Sequence, residues 1–460
     1  MGERPNPSSE RCCGREGAGR HGTEVPIRPT IAKLPRAERA VTGTVLGMSL
    51  LRDRRLRLLI FGQAVNAIGS WCALVAIWGF ASFHFDAGAG ELAILGLAWA
   101  LPPVLLGPLA GVPVDRLGPK RVLIVADGAA AGVALLFILA GSFEALVALA
   151  ALDSVTKAFA EPAFQSLPPR LVDDDQLAGA NALLATASQS AIAFGPLLAA
   201  GAIGAFGFQG AFVVDSLTYL VGIAVLLPFH IGPAVAQPTA DGEARRVTDD
   251  VREGFRVVAQ RAPVRRLLLL GVSVYLIWGA FIVVEPIYVR EVLHGTPSTF
   301  ALLQTSFGVG LLAAGAVITR LGDRAVRMWV VCLAAIGSGL AALVYVSTAN
   351  EVVAFCGIVG WGVVTAGFIA PFRTLLQRAA PVETHGRIFA IDSTLHNFGD
   401  LLSLPLVGLI AAGAGVQVAG STMAAAPIIG GAAIWWWARR QHAETELEPD
   451  PDAYPTPTAA

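Results

Sequence analysis

Two sets of ionisable residues stand inside otherwise apolar sequence, each at helical spacing. Asp153, Lys157 and Glu161 recur at every fourth position within Ala145–Phe164, and Asp392, His396 and Asp400 do so within Ile388–Ala412. On a helix that spacing places side chains on one face. Ionised groups in an apolar run are costly, and each therefore calls for a role. For Asp153 two roles compete: a proton or substrate site with Lys157 as partner, or a self-satisfied Asp–Lys pair. Asp392, His396 and Asp400 form a carboxylate–imidazole–carboxylate ladder that can pass protons, imidazole being the side chain that titrates nearest neutrality. The alternative is a polar cavity lining or inter-helix hydrogen bonds. Gln63 and Asn66 can bond a substrate or a neighbouring helix. Asp215 and Glu285, nearer the ends of their runs, read as gate contacts or caps, and Arg373 and Arg378 as charged anchors.

The elements that must position these groups are apolar runs of about 20 residues, each enough to cross roughly 30 Å of hydrocarbon as a helix. In the first half they are Leu58–Phe83, Leu92–Val114, Val122–Gly141, Ala145–Phe164, Ala178–Phe206 and Ala211–His230. In the second half they are Leu267–Val289, Phe300–Arg320, Met328–Val346, Val352–Leu376, Ile388–Ala412 and Val416–Trp437. By a rise of 1.5 Å per residue, Asp153 falls about 13 Å into its run, near the middle. Composition agrees with this division. Only 15% of the 460 residues are charged and 55% are hydrophobic, against about 25% charged in a soluble domain. Too few charges remain to build a hydrated shell, so lipid is the solvent. The expected fold is an all-α integral membrane protein, with twelve transmembrane helices in two pseudo-symmetric six-helix bundles.

Lys and Arg fall on alternate loops. One set holds Arg116, Lys120 and Arg121, then Arg170, then Arg320, Arg324 and Arg327, then Arg378 and Arg387, then Arg439 and Arg440. The other set (84–91, 141–144, 205–210, 346–351 and 412–416) holds none, and 290–299 holds only Arg290. The positive-inside rule then places both termini in the cytoplasm of a multi-pass plasma (inner) membrane protein. A net charge of -1 provides no field for nucleic acid. The five cysteines, three of them in apolar runs at Cys72, Cys332 and Cys356, do not read as a secreted disulfide framework.

The expected organisation has five parts. Residues 1–50 form a polar extension, either a disordered tail or a segment upstream of the true start at Met48; N-terminal sequencing separates the two. Residues 51–230 form the first bundle and 267–438 the second. Residues 231–266 form a linker with an amphipathic helix, since Val247, Val251, Phe255 and Val258 share a face. Residues 439–460 form a disordered, acidic, Pro-rich tail.

The halves carry a repeated loop. After the second run the chain reads Gly111-Val-Pro-Val-Asp115-Arg116-Leu-Gly118-Pro-Lys120-Arg121, and after the eighth Gly315-Ala-Val-Ile-Thr319-Arg320-Leu-Gly322-Asp323-Arg324. Gly111 suits close helix approach, Gly118 a tight turn, and Asp115 the positive end of a helix. Arg116 and Arg121 can pair with carboxylates such as Glu161 or bind lipid headgroups. The loop resembles the G-x-L-A-D-R-x-G-R-R/K signature of the major facilitator superfamily, departing from it at Pro113, Val114, Pro119 and Thr319. In that family the loop latches the cytoplasmic side, and the resemblance implies a stronger latch in the first half.

Phe159-Ala-Glu-Pro162-Ala163-Phe-Gln-Ser-Leu-Pro168 with Leu177-Ala-Gly-Ala-Asn181-Ala182 is similar to the macrolide-efflux and enterobactin-exporter branch. Phe61-Gly62-Gln63, Gly69-Ser-Trp71 and Gly386-Arg387-Ile388-Phe389 fit the same branch. Gly195-Pro196 matches part of an antiporter motif, whose other glycines are Ala191, Ala199 and Ala200 here; a plain helix kink explains it equally.

The resemblance implies a secondary active transporter by alternating access, with proton-coupled efflux of a hydrophobic or amphipathic small molecule of the drug, macrolide or siderophore class. The implied partners are membrane lipid, that substrate and protons as counter-ion, without nucleic acid, in a monomer. An importer or facilitator of the same fold, and a non-transporting sensor or lipid-translocating relative, stay open. The chain has no nucleotide-binding, nucleophile-elbow or metal-ligand motif, so neither an enzyme nor a cofactor or metal is expected.

Overall fold

A computed structural model describes residues 53–229, 255–381 and 384–440. The extension 1–50, residues Val247 and Val251 of the linker, and residues 441–460 of the tail lie outside them. The described elements are helical: α1 (Arg54–His84), α2 (Ala89–Leu117), α3 (Pro119–Leu136), α4 (Phe143–Gln165) and α5 (Asp174–Leu226), then α6 (Ala262–Glu291), α7 (Pro297–Leu321), α8 (Met328–Ser347), α9 (Glu351–Ala379), α10 (His385–Ala414) and α11 (Val416–Arg440), with short 3-10 turns between some of them. α6 thus starts at Ala262, inside the expected linker, and α11 continues to Arg440, past the expected boundary at 438.

Helix ends follow local chemistry. Asp53 accepts from the Arg55 amide at 2.7 Å, Ser142 from Ala145 at 3.2 Å, and Asn350 from Val352 and Val353, each satisfying amides that a helix start leaves open. In the two related loops, Gly118 (φ 84°) and Gly322 (φ 54°) end α2 and α7 in backbone that favours glycine.

Among the described residues, ten helices are long and apolar enough to cross a membrane. α4, carrying Asp153, Lys157 and Glu161, is not among them. α5 is a special case, because Gly207 (φ 68°, ψ -172°) interrupts its 53 residues. Its two arms flank α1 in opposite directions. In the second arm, Val225 meets Gly62, Thr218 meets Gly69 and Phe208 meets Gly79, so the pairing runs antiparallel. In the first arm, Ser188 bonds Gln63 and Gly195 abuts Trp71, so it runs parallel. The chain therefore reverses at one glycine, where the sequence suggested a loop at 205–210. With both arms counted separately and α4 included, the described residues hold twelve helical segments, against ten long and apolar enough to cross a membrane.

Apolar packing differs between the two ends of the bundle. Toward the arginine-poor loops, one cluster combines Val75, Trp78, Leu92 and Phe212 of α1–α5 with Ile277, Tyr288, Phe300, Leu404 and Val407 of α6–α11. Toward the arginine-rich loops, each set keeps its own core. One holds Leu59, Val114, Leu123 and Leu226, and the other holds Leu268, Val331, Phe372 and Ile388. The two sets are thus joined at one end and separate at the other.

Gly207 generates the first prediction. Its backbone region is essentially closed to other residues and costs about 1–3 kcal/mol when forced. Gly207→Val should lower thermal stability in detergent by that order, whereas Gly201→Ala, with nothing within 4 Å of a built Cβ, should not.

Candidate functional site

The first charged cluster lies within α1–α5. Lys157 Nζ donates to Asp153 Oδ2 at 2.7 Å, one helical turn away. Asp153 is buried, and Lys157 stands 5.9 Å from the ring of Trp99 on α2. Ser154 donates to the Trp99 carbonyl, tying α4 to α2 beside the pair. The second arm of α5 adds Asp215 and Tyr219, both buried and both in electrostatic reach of Lys157. Asp215 Oδ1 has no hydrogen-bond partner. One ammonium therefore faces two carboxylates and completes the bonding of only one. Asp215 is a member of this cluster, not the hydrated cap that its position in sequence suggested.

The second cluster is built between α6 and α10. The helices approach closely because Gly279 and Gly399 lack side chains. A Cβ on Gly279 would lie 2.6 Å from Asp400 Cα, and one on Gly399 2.9 Å from Tyr275 Cβ. Through that contact Tyr275 donates its hydroxyl to Asp392 Oδ1 at 2.8 Å. Its ring stacks on His396 at 4.3 Å and 9°, with Trp278 edge-on to the same imidazole at 5.7 Å. His396 Nε2 lies 3.6 Å from Asp400 Oδ2. Asp400 Oδ1 and Trp278 Nε1 are buried without partners, and Arg373 of α9 acts electrostatically on Asp392 and His396. The continuous ladder read along α10 is therefore broken. Asp392 bonds sideways to Tyr275, and only His396 and Asp400 remain adjacent.

Gln63 donates to Ser188 Oγ at 3.1 Å, so it joins α1 to α5. Asn66 Oδ1 is buried and unpartnered. Helical backbone runs through Gly195-Pro196, and the break comes later, at Gly207. A Cβ at Gly195 would lie 2.3 Å from Trp71 Cβ, so Gly195 serves close packing on α1. Glu285 also departs from the sequence reading. It is buried and accepts from Gln304 at 2.7 Å and Tyr345 at 2.9 Å, inside the second helix set.

The repeated loops are unlatched. Asp115, Arg116, Arg121, Arg320 and Arg324 are exposed and make no ion pair among the described residues. Glu161 accepts from Gln165 at 2.6 Å instead of from Arg116 or Arg121. Nothing lies within 4 Å of a Cβ built on Gly111 or Gly315, so the expected close approach is not made. Lys120 donates to the carbonyls of Leu227 and Phe229 at 2.7 and 2.5 Å, bracing α3 against the end of α5. The ion pair of this region lies in the second copy, between Asp323 and Arg378 at 2.7 Å. The expected stronger latch of the first half is not engaged in this structure.

Contacts across the two sets concentrate toward the opposite end. A Cβ on Gly308 of α7 would meet Ala193 backbone of α5 at 2.5 Å, and Gly408 of α10 packs on Ala89 and Ala93 of α2. Arg290 of α6 donates to the Ser82 carbonyl of α1 and lies 3.8 Å from Asp86. Closure at the arginine-poor end and separation at the other explain the unlatched loops. Rigid bundles in contact at one end diverge at the other.

A profile for the transmembrane secretion effector family of major facilitator transporters matches residues 46–460. The chain belongs to the major facilitator superfamily. Among curated relatives, it is 21% identical over 382 residues to the uncharacterized MFS-type transporter YfiS of Bacillus subtilis (strain 168), covering 80% of this chain and 90% of that one. It is 25% identical over 370 residues to macrolide efflux protein A of Streptococcus pyogenes, covering 77% and 89%. Among solved structures, a bacterial homologue of the lysosomal transporter Spinster, inward-facing and unoccupied, superposes with a TM-score of 0.66 at 14% identity, covering 88% of this chain and 99% of that one. The matched family places the chain among transporters.

Sequence reasoning missed several polar groups of these clusters. Tyr275 and Tyr219 lie in apolar runs with nothing beside them in sequence to mark them. Asp127 is buried in α3 with Oδ1 unpartnered, facing Gly222 of α5. A lone Asp within Val122–Gly141 was signal enough to find it.

The Lys157 cluster yields a stability prediction. Breaking a buried pair from one side costs about 3–5 kcal/mol. With Lys157 side chain 28% exposed, Lys157→Met should cost the lower part of that range. Asp153→Asn with Lys157→Met should recover a large share, read by thermal unfolding of both purified variants.

Proposed function

We propose that this protein is a proton-coupled exporter of a hydrophobic or amphipathic small molecule, of the drug, macrolide or siderophore class, acting as a monomer by alternating access. One observation carries this reading: each helix set of a transporter fold buries carboxylates that its own side chains only partly compensate. Lys157 supplies one positive charge for Asp153 and Asp215. Asp400 keeps an unpartnered oxygen beside His396. In a medium without water such groups need a further positive charge. A proton from one side of the membrane supplies it, and a substrate that displaces the proton couples the two fluxes. Asp153, Lys157, His396 and Asp400 are the coupling residues in this reading. Asp392, held by Tyr275, supports the second cluster, and Gln63 and Asn66 line the path between the halves.

Twelve crossings, six within 51–230 and six within 267–438, put both termini in the cytoplasm of the plasma membrane; the distribution of Lys and Arg supports this orientation. The separated ends then face the cytoplasm, ready to load substrate there. When the bundles rock, Gly111 and Gly315 allow helices to approach. Asp115, Arg116, Lys120, Arg121 and Glu161 then form one latch, and Arg320, Gly322 and Arg324 take part in the other with Asp323. Export is supported by the streptococcal relative, whose name states macrolide efflux.

The test uses inverted membrane vesicles with an acidic lumen. Labelled substrate found from a susceptibility panel of drugs and siderophores should accumulate inside vesicles holding the wild-type chain. Asp400→Asn should abolish that gradient-driven accumulation while leaving folding intact. Release of label down the same gradient would mean import, and an unchanged pH dependence in Asp400→Asn would remove the proton role.

A further inference from the structure

Arg290 is the one basic residue of loops that otherwise hold no Lys or Arg. It stands in the last turn of α6 and reaches across to the last turn of α1, where Nη1 donates to the Ser82 carbonyl. The two helices end alike. The Ala87 amide returns to the Ala81 carbonyl at 3.1 Å with Asp86 at φ 52°, and the Gly295 amide to the Val289 carbonyl at 2.9 Å with His294 at φ 50°. Ala81 therefore corresponds to Val289, and Ser82 to Arg290. α1 and α6 each open a helix set, so this bond joins matching positions of the two halves, at their pseudo-two-fold axis. A helix's last turn leaves carbonyls without amide partners, and that end carries partial negative charge. The guanidinium caps it from the opposite set. Nη2 donates to Glu291 at 2.8 Å, which sets the guanidinium plane, and Asp86 lies 3.8 Å from Nη1. The Arg290 side chain is 18% exposed, against 87% for Asp86, so the carbonyl is the sheltered partner.

We propose that Arg290 is the outer latch of this transporter, the bond that must break before the arginine-poor end can open. The proposal rests on the alternating-access reading, but not on substrate, direction or proton coupling. The other cross-set contacts named at this end, Gly308 on Ala193 and Gly408 on Ala89 and Ala93, are van der Waals contacts. Such contacts weaken in small parts as helices draw apart. A charge-assisted hydrogen bond is stronger and is lost over a short displacement. Arginine suits the position because its planar fork holds Ser82 of one set and Glu291 of the other at once. Lysine would keep the charge without the fork, and glutamine would lose the charge. Release of this bond frees the cytoplasmic ends, whose repeated loops stand unlatched here, to approach one another. The two latches then alternate, one engaged while the other is open.

Double electron–electron resonance on the full-length chain in lipid nanodiscs tests it, with the native cysteines replaced by serine. Spin-labelled Glu144→Cys with Glu351→Cys reports the outer end, and Leu117→Cys with Leu321→Cys the cytoplasmic end; all four positions are exposed. The wild type should show the outer pair close and the inner pair apart. Arg290→Gln should raise the ratio of outward-open to inward-open forms about tenfold. The outer pair then lengthens as the inner pair shortens. Arg290→Lys should fall between the two. Asp86→Asn, which removes only an exposed partner, should change the ratio about two- to threefold at most. Arg290→Glu sets a carboxylate against the same carbonyl and Asp86, and should shift the ratio furthest. A ratio unchanged in both Arg290→Gln and Arg290→Glu would overturn the proposal. So would an outer pair that lengthens while the inner pair stays fixed, since that is local fraying of α1. A shifted ratio in a chain whose wild type accumulates no label in vesicles would keep the latch and remove the exporter reading.

Discussion

Hydrocarbon does not hydrate an ion, and most of this structure follows from that constraint. Every charge must reach the headgroups, pair inside the protein, or be the reason the protein exists. Most Lys and Arg take the first course and sit in one set of loops. Glu285 takes the second, wrapped by Gln304 and Tyr345. Asp153 with Lys157 is partly of the second kind, but Asp215 beside it leaves the account short of one positive charge. Asp400 stands similarly beside His396. These groups are retained where an apolar residue would pack at less cost, and the two helix sets each hold one such cluster.

Glycine provides the mechanical counterpart. α1 is held between the two arms of α5 by close contacts at Gly62, Gly69, Gly79 and Gly195. That sandwich exists because Gly207 lets the chain reverse without a loop. In the second half, Gly279 and Gly399 bring α6 against α10 closely enough for Tyr275 to reach Asp392 and cover His396. Without such contacts the polar groups would lie one side-chain layer apart, beyond hydrogen-bonding distance.

Cross-set contacts lie toward one end of the bundle. Gly308 on Ala193, Gly408 on Ala89 and Arg290 on Ser82 hold one end together. At the other end the cores are separate and the repeated loops are solvent-facing. The residues that read as a latch in sequence are therefore present and unengaged, with Asp323 and Arg378 the ion pair made there. A latch is a property of one conformation, whereas a sequence motif is common to all of them.

Local patterns were sufficient for several features. Apolar run length decided the helices, the alternation of charged loops decided their grouping, and Gly118 was identified as a turn, because each depends on residues near in sequence. The four-residue spacing of Asp153 and Lys157 likewise implied their bond. Other features depended on residues far apart in the chain. The partnership of Asp215 with Lys157, the diversion of Asp392 from His396 to Tyr275, and the burial of Glu285 each join different helices. Which neighbour a membrane helix selects depends on close packing at small residues, and no periodicity along one helix encodes the partner. The sequence alone thus determined that lipid solvates this chain and which charges remain inside it. Only the tertiary structure decided which of those charges face one another, because helix pairing sets the distances over which they act.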